Sequence, residues 1–198
     1  AFKNYCGGGS SPFPASICFS RNSVAVHGVP TEEIIINEGD MVTIDCGLSL
    51  NGWFADAARL FGVGDIPEED VKMITASKTV LQSGIDACVV GNKLGGVQRA
   101  LQNAIAESGY YNVYQFCGHA IGRKMHESPQ VPNFGQPEQG IDLEPGMVFC
   151  LEPVLRKYAN TELGILPDNW TITTTDGSRV THIEHMVLVT EDSPEILT

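Results

Sequence analysis

Val42-Thr-Ile-Asp-Cys-Gly-Leu-Ser-Leu-Asn-Gly-Trp-Phe-Ala-Asp-Ala-Ala-Arg-Leu60 sets two strand-like runs on either side of Asn51-Gly52. That dipeptide is the strongest local mark of a two-residue type I′ hairpin. A two-residue loop pairs Leu50 with Trp53 and, counting back, Gly47 with Asp56. Side chains alternate along a strand, so Asp45, Gly47 and Asp56 share one face. The two aspartates become diagonal cross-strand neighbours, roughly 7–8 Å apart at the backbone and closer at their tips. Gly47 is expected to leave open space between them. Two buried carboxylates facing each other are costly unless something positive lies between them, and a metal ion meets that need.

The chain of 198 residues suits one domain with a sizeable core. A net charge of −12 argues against a nucleic-acid surface, which requires basic patches. The six cysteines form no CxxC pair and mostly sit in apolar runs. They read as reduced thiols in a cytoplasmic compartment, not as a disulfide framework. No apolar run reaches the length of a membrane span, and no secretory signal is visible.

Around the hairpin, 16–20 and 23–27 read as strands, the second ending at His27-Gly28-Val29-Pro30. Pro67 and the acids at 68–70 open a helix running to about 88, with Val71, Ile74, Leu81, Ile85 and Cys88 at helical spacing. A second helix carries Leu94, Val97, Leu101, Ala104 and Ile105 on one face and stops at Gly109. Residues 113–117 read as a strand and 128–145 as turns. Residues 147–153 read as a strand, and 170–190 as a second hairpin turning at Asp176-Gly177. The pattern predicts an α+β fold, with helices covering a curved, mainly antiparallel sheet built from two pseudo-symmetric halves.

Strand-borne acids and one histidine form a set: Asp45, Asp56, His119, Glu152 and Glu184. Each alone has an ordinary structural reading, but charged residues are almost never fully buried unless paired or ligating. Four carboxylates and one imidazole are too negative for one divalent ion and suit two. An oxygen-rich set favours Mn2+ or Fe2+, with Co2+ and Zn2+ also able to bind. Two adjacent ions share and acidify a water and polarise a carbonyl, so the expected chemistry is metal-assisted hydrolysis.

Four blocks carry a resemblance: Ile44-Asp-Cys-Gly through Ala55-Asp56, Cys117-Gly-His-Ala-Ile-Gly-Arg123 with His126-Glu127, Leu151-Glu-Pro153, and Ile183-Glu-His-Met-Val187. In this order, from near Cys6 to Thr198, they resemble the type 1 methionine aminopeptidases. The short interval from Glu152 to Glu184 lacks the type 2 insertion. The resemblance implies a pita-bread fold and removal of the initiator methionine from peptides and nascent chains, preferably before a small second residue. It implies one catalytic domain over 1–198 without the family's leading helix, a monomer, and no membrane or nucleic-acid partner. Ribosome association is left open.

It also implies residue roles. Asp56 and Glu184 would bridge two ions, Asp45 would bind one, and His119 and Glu152 the other. Glu152 would take and return a proton while a shared hydroxide attacks. His126 would bond the substrate carbonyl, and His27 the nitrogen of the scissile bond. Cys6, Phe13, Cys18, Met125 and Trp170 would form the methionine pocket. Three departures touch selectivity: Ala120 replaces a glycine, Met125 stands where an aromatic is common, and Gly7-Gly8-Gly9 replaces part of a segment that often supplies a tyrosine. The alternatives are a proline-specific aminopeptidase or prolidase of the same fold, and a non-catalytic binding module.

Overall fold

Asn51 (φ 53°) and Gly52 (φ 78°) both occupy the left-handed region, as a type I′ turn demands. In this computed structural model residues 1–6 and 11–198 are described, so Gly7-Gly8-Gly9 falls outside the described residues. The hairpin arms are each broken once, giving β3 (Met41–Asp45), β4 (Leu48–Leu50), β5 (Trp53–Ala55) and β6 (Ala58–Gly62). Pairing runs from Leu50–Trp53 through Leu48–Ala55 to Asp45–Ala58 and Met41–Gly62 without a slip. The expected register therefore holds over the whole hairpin.

Before it lie β1 (Cys18–Arg21) and β2 (Val24–Val26); after it come α1 (Glu68–Asp86) and α2 (Leu94–Ser108). Gly109 closes α2 at φ 79°, a conformation that favours glycine. Then follow β7 (Tyr111–Asn112), β8 (Gly118–Ala120), β9 (Glu127–Val131), β10 (Val148–Leu151) and β11 (Val154–Arg156). The last strands are β12 (Leu163–Ile165), β13 (Ile172–Thr174), β14 (Val180–His182), β15 (His185–Leu188) and β16 (Glu195–Ile196). Among the described residues the strands form five sheets, ordered β1-β3-β6, β16-β15-β10-β8-β9, β14-β11-β7, β12-β13-β2 and β4-β5. The strand pairings are antiparallel.

The helices pack over this surface. Met73, Val80, Leu81 and Ile85 of α1 and Leu94, Val97, Leu101 and Ile105 of α2 share one core with Phe149, Leu151 and Val187. Each such side chain contributes about 1.5–3 kcal/mol on burial. Val71, assigned to the buried face from the sequence, is 46% exposed; Asp70 takes the inward place and meets Arg179 at 3.1 Å.

Three other expectations need correction. Residues 114–115 form a turn instead of continuing a strand, because β7 and β8 belong to different sheets and the chain must break to change between them. Residues 127–131 form a strand despite Pro129, because β9 is an edge strand and an edge tolerates a missing donor. The turn at Asp176-Gly177 forms, with Gly177 at φ 71° and the Ser178 N–H donating to Asp176 Oδ1. Its flanking strands do not pair with each other, since β13 joins β12 and β2 while β14 joins β11.

Candidate metal centre

The break between the two hairpin ladders is where the carboxylates sit. Asp45 ends β3 and Asp56 follows β5, and both are buried. The space above Gly47 is filled, contrary to expectation. A Cβ there would lie 2.5 Å from Met125 Cε and 2.6 Å from a Phe2 ring carbon, so the glycine admits two side chains that back the site.

The C-terminal strands are tied to this break by hydrogen bonds. The Glu184 N–H donates to the Ala58 carbonyl at 3.0 Å, and Arg59 Nη1 donates to the Glu184 carbonyl at 2.8 Å. Thr43 Oγ1 donates to the His182 carbonyl at 3.0 Å. Glu152 lies one residue beyond β10, and His119 lies on β8 beside it, with Cys150 facing His119 across the ladder.

All five sequence-assigned ligand residues meet here. Asp45, Asp56 and Glu184 each offer an oxygen within 4.8 Å of the others, and Asp56 and His119 are equally close to His126. His119 Nε2 stands 3.6 Å from Glu152 Oε1. Burial, with Asp56 and Glu152 nearby and His182 opposing, pushes the Asp45 carboxyl up to about 8. Asp56 is raised to about 7 by burial and Glu152, and Glu152 to about 8 by burial. Burial also raises Glu184, helped by the neighbouring acids. His119 falls to about 4, chiefly through burial, so it is neutral and free to ligate.

The donor set fits divalent cations. Asp45 Oδ1 and Glu184 Oε1 are buried with no hydrogen-bond partner among the described residues. Among the described residues no lysine or arginine lines the cavity to balance four acids. Cys150 lies close enough to ligate, but burial and the surrounding carboxylates push its thiol far up, so it remains protonated.

The cavity, about 290 Å3, extends from these acids between Phe2, Tyr5, Phe13, Cys18, Phe116 and Trp170. Phe13 meets Trp170 edge-on at 5.3 Å. His27 packs on Phe116 at 5.7 Å and Trp170 at 6.2 Å, with φ at 55°, in the left-handed region that few residues other than glycine adopt. Burial, then His182 and His126, lowers His27 to about 4.

Two expected pocket residues do not line the cavity. Cys6 is exposed, with its Sγ turned to the Asn4 carbonyl. Met125 is buried behind the wall against Phe2, Phe13 and Cys18. Residues the sequence reading missed do line it: His182, Tyr5, Phe2, Phe116 and Val26. His182 lies two residues before Glu184, so strand alternation carried the signal. Its buried Nε2 faces Glu152 Oε2 at 3.7 Å and has no hydrogen-bond partner among the described residues. Tyr5 bonds His126 across 121 positions of sequence, which no local pattern signals.

Residues 2–191 match metallopeptidase family M24. The methionine aminopeptidase of Clostridium acetobutylicum is 40% identical over 198 residues, covering this whole chain and 77% of that protein. Methionine aminopeptidase 1 of Mycobacterium tuberculosis is 45% identical over 192 residues, 94% of this chain and 72% of that one. The crystal structure of methionine aminopeptidase from Rickettsia prowazekii superposes with a TM-score of 0.87 at 36% identity, over 93% of this chain and 74% of that one. A prolidase from Pyrococcus horikoshii shares the fold at 24% identity and a TM-score of 0.72, over 93% of this chain and 47% of that one. With the curved antiparallel surface, its two covering helices and the cluster of buried acids, these matches show a pita-bread enzyme: the chain belongs to metallopeptidase family M24.

Proposed function

We propose that the chain is a metal-dependent aminopeptidase that removes the N-terminal methionine from peptides and nascent chains, preferably before a small residue. One observation carries this reading. A single cavity joins a head of Asp45, Asp56, His119, Glu152 and Glu184 to a sulfur- and aromatic-lined end containing Phe13, Cys18, Phe116 and Trp170. Aromatic rings and a polarisable thiol suit a thioether side chain.

Asp45, Asp56, His119, Glu152 and Glu184 would hold two divalent ions. Mn2+, Fe2+ or Co2+ match the oxygen-rich donors best, and Zn2+ is also compatible. Such ions supply a nucleophile at neutral pH and polarise the scissile carbonyl. The rest falls to the chain. Glu152 would accept a proton from the attacking water and return it to the leaving amine. His126, held neutral by burial, donates to the substrate carbonyl oxygen as negative charge develops there. His27, at the aromatic end, contacts the peptide nitrogen.

The test is release of methionine from Met-Ala-Ser by protein reconstituted with Mn2+, Fe2+, Co2+ or Zn2+, set against release of X from X-Pro peptides. Preference for the X-Pro substrates would move the chain to the prolidase branch. Cleavage of neither with any metal would favour a binding module. Among the described residues, no helix is long and apolar enough to cross a membrane.

A further inference from the structure

His126 touches two other rings, those of Tyr5 and His119. The Tyr5 hydroxyl lies 2.7 Å from His126 Nδ1, and the two rings pack at 5.2 Å between centroids with a 58° tilt. His119 meets the His126 ring at 4.3 Å, near edge-on at 65°. A neutral imidazole has one donor and one acceptor nitrogen, and the partner of one nitrogen decides what the other can do. Burial raises the Tyr5 hydroxyl above its ordinary range, so it keeps its proton and can donate. With Nδ1 accepting from Tyr5, the ring hydrogen resides on Nε2.

We propose that Tyr5 is a positioning residue for catalysis, whose hydroxyl donates to His126 Nδ1 and thereby presents Nε2–H to the scissile carbonyl oxygen. This rests on the reading above that His126 meets that oxygen. In the opposite tautomer a lone pair on Nε2 would face the oxygen, repelling the charge that builds on it. Tyr5 therefore does more than wall the cavity: it selects the form of His126 that can help. The aromatic contact alone needs only the ring, whereas this role needs the hydroxyl, so Tyr5→Phe separates them.

The experiment uses protein loaded with Mn2+ and compares the parent chain, Tyr5→Phe, His126→Ala and the double variant on Met-Ala-Ser. Tyr5→Phe should lower kcat about tenfold, the size that one hydrogen bond supports, with KM within about twofold. In the His126→Ala background the same change should alter kcat by less than about twofold, because its only route has gone. A second readout is independent of turnover. Nitrogen NMR of the metal-free protein, with the His126 signals assigned by their loss in His126→Ala, should show Nε2–H in the parent and a tautomer mixture in Tyr5→Phe.

An undiminished kcat in Tyr5→Phe, or an equal loss with and without His126, overturns the proposal. So does an unchanged tautomer. If the parent cleaves no methionine peptide with any metal, the functional reading fails instead, and the NMR comparison still decides whether Tyr5 fixes the ring.

Discussion

Metal-free protein should lose stability as pH rises from 7 to 8, the reverse of what acid unfolding leads one to expect. The cause is the acid cluster. Folding raises Asp45 and Glu152 to about 8 and Asp56 to about 7, while in the unfolded chain all three ionise near 4. At pH 7 the folded state therefore holds protons that the unfolded state has lost, and stability falls with pH. The penalty begins above the unfolded values and is complete once the folded groups ionise near pH 8. The buried imidazoles pull the other way, because His27 and His119 are lowered to about 4. Their contribution grows as pH rises toward the ordinary histidine value and is complete above about pH 7, which is why the window from 7 to 8 is clear of the histidines.

Each net proton is worth about 1.4 kcal/mol per pH unit. One or two protons held by the cluster give about 1.4–3 kcal/mol between pH 7 and 8. For a domain of this size that lowers Tm by roughly 3–12 °C. The assay is urea or thermal unfolding of chelator-treated protein at pH 7 and 8, with and without Mn2+. Mn2+ at one hundred times its Kd should restore about 2.7 kcal/mol. Asp45→Asn should flatten the metal-free slope and lose most of the Mn2+ effect. A metal-free Tm that is level or rises from pH 7 to 8 would refute the reasoning, since the acids could not then be sharing an uncompensated burial cost.

Three further outcomes follow from the packing. Gly47→Ala should destabilise by about 1–3 kcal/mol in urea titration, because the new methyl meets Met125 and Phe2 and neither can retreat into a buried wall without strain. His182→Leu should weaken Mn2+ binding by about 10–100-fold in calorimetry, while His182→Gln should hold most of it, because an amide can replace the nitrogen that faces Glu152. Equal affinity in both variants would remove His182 from any role in orienting Glu152. Trp170→Ala should lower kcat/KM for methionine peptides by roughly 10–200-fold through loss of an aromatic wall; the same loss on Ala-Ala-Ser would argue against a side-chain pocket there.

How legible the molecule was depended on the range of the contacts. Asp45 and Asp56 could be placed together because one turn dipeptide fixes the register on both sides. His119 was recognised, but the apolar run before it, 113–117, reads as a strand where the chain turns between β7 and β8. Glu152 and Glu184 stood out as acids in apolar strands, but nothing local showed that the Glu184 N–H would bond Ala58. His182 carried a period-two signal, two residues before Glu184, but its approach to Glu152 is long-range. Tyr5 carried none, and neither did the withdrawal of Met125 behind the wall, because both depend on how distant segments pack.

The unbroken register of the hairpin has a consequence for tolerated change. The spacing of Asp45 and Asp56 is set by counting residues outward from Asn51-Gly52, so it is a matter of parity more than of side-chain fit. Leu48, Leu50 and Trp53 at the tip are more than half exposed, and substitutions there should be cheap. Inserting or deleting a single residue in one arm is another matter, because it turns every later side chain to the opposite face. One aspartate would leave the cluster with no carboxylate mutated. Among related sequences, then, the tip should vary freely in composition, while changes in length should come as matched additions to both arms.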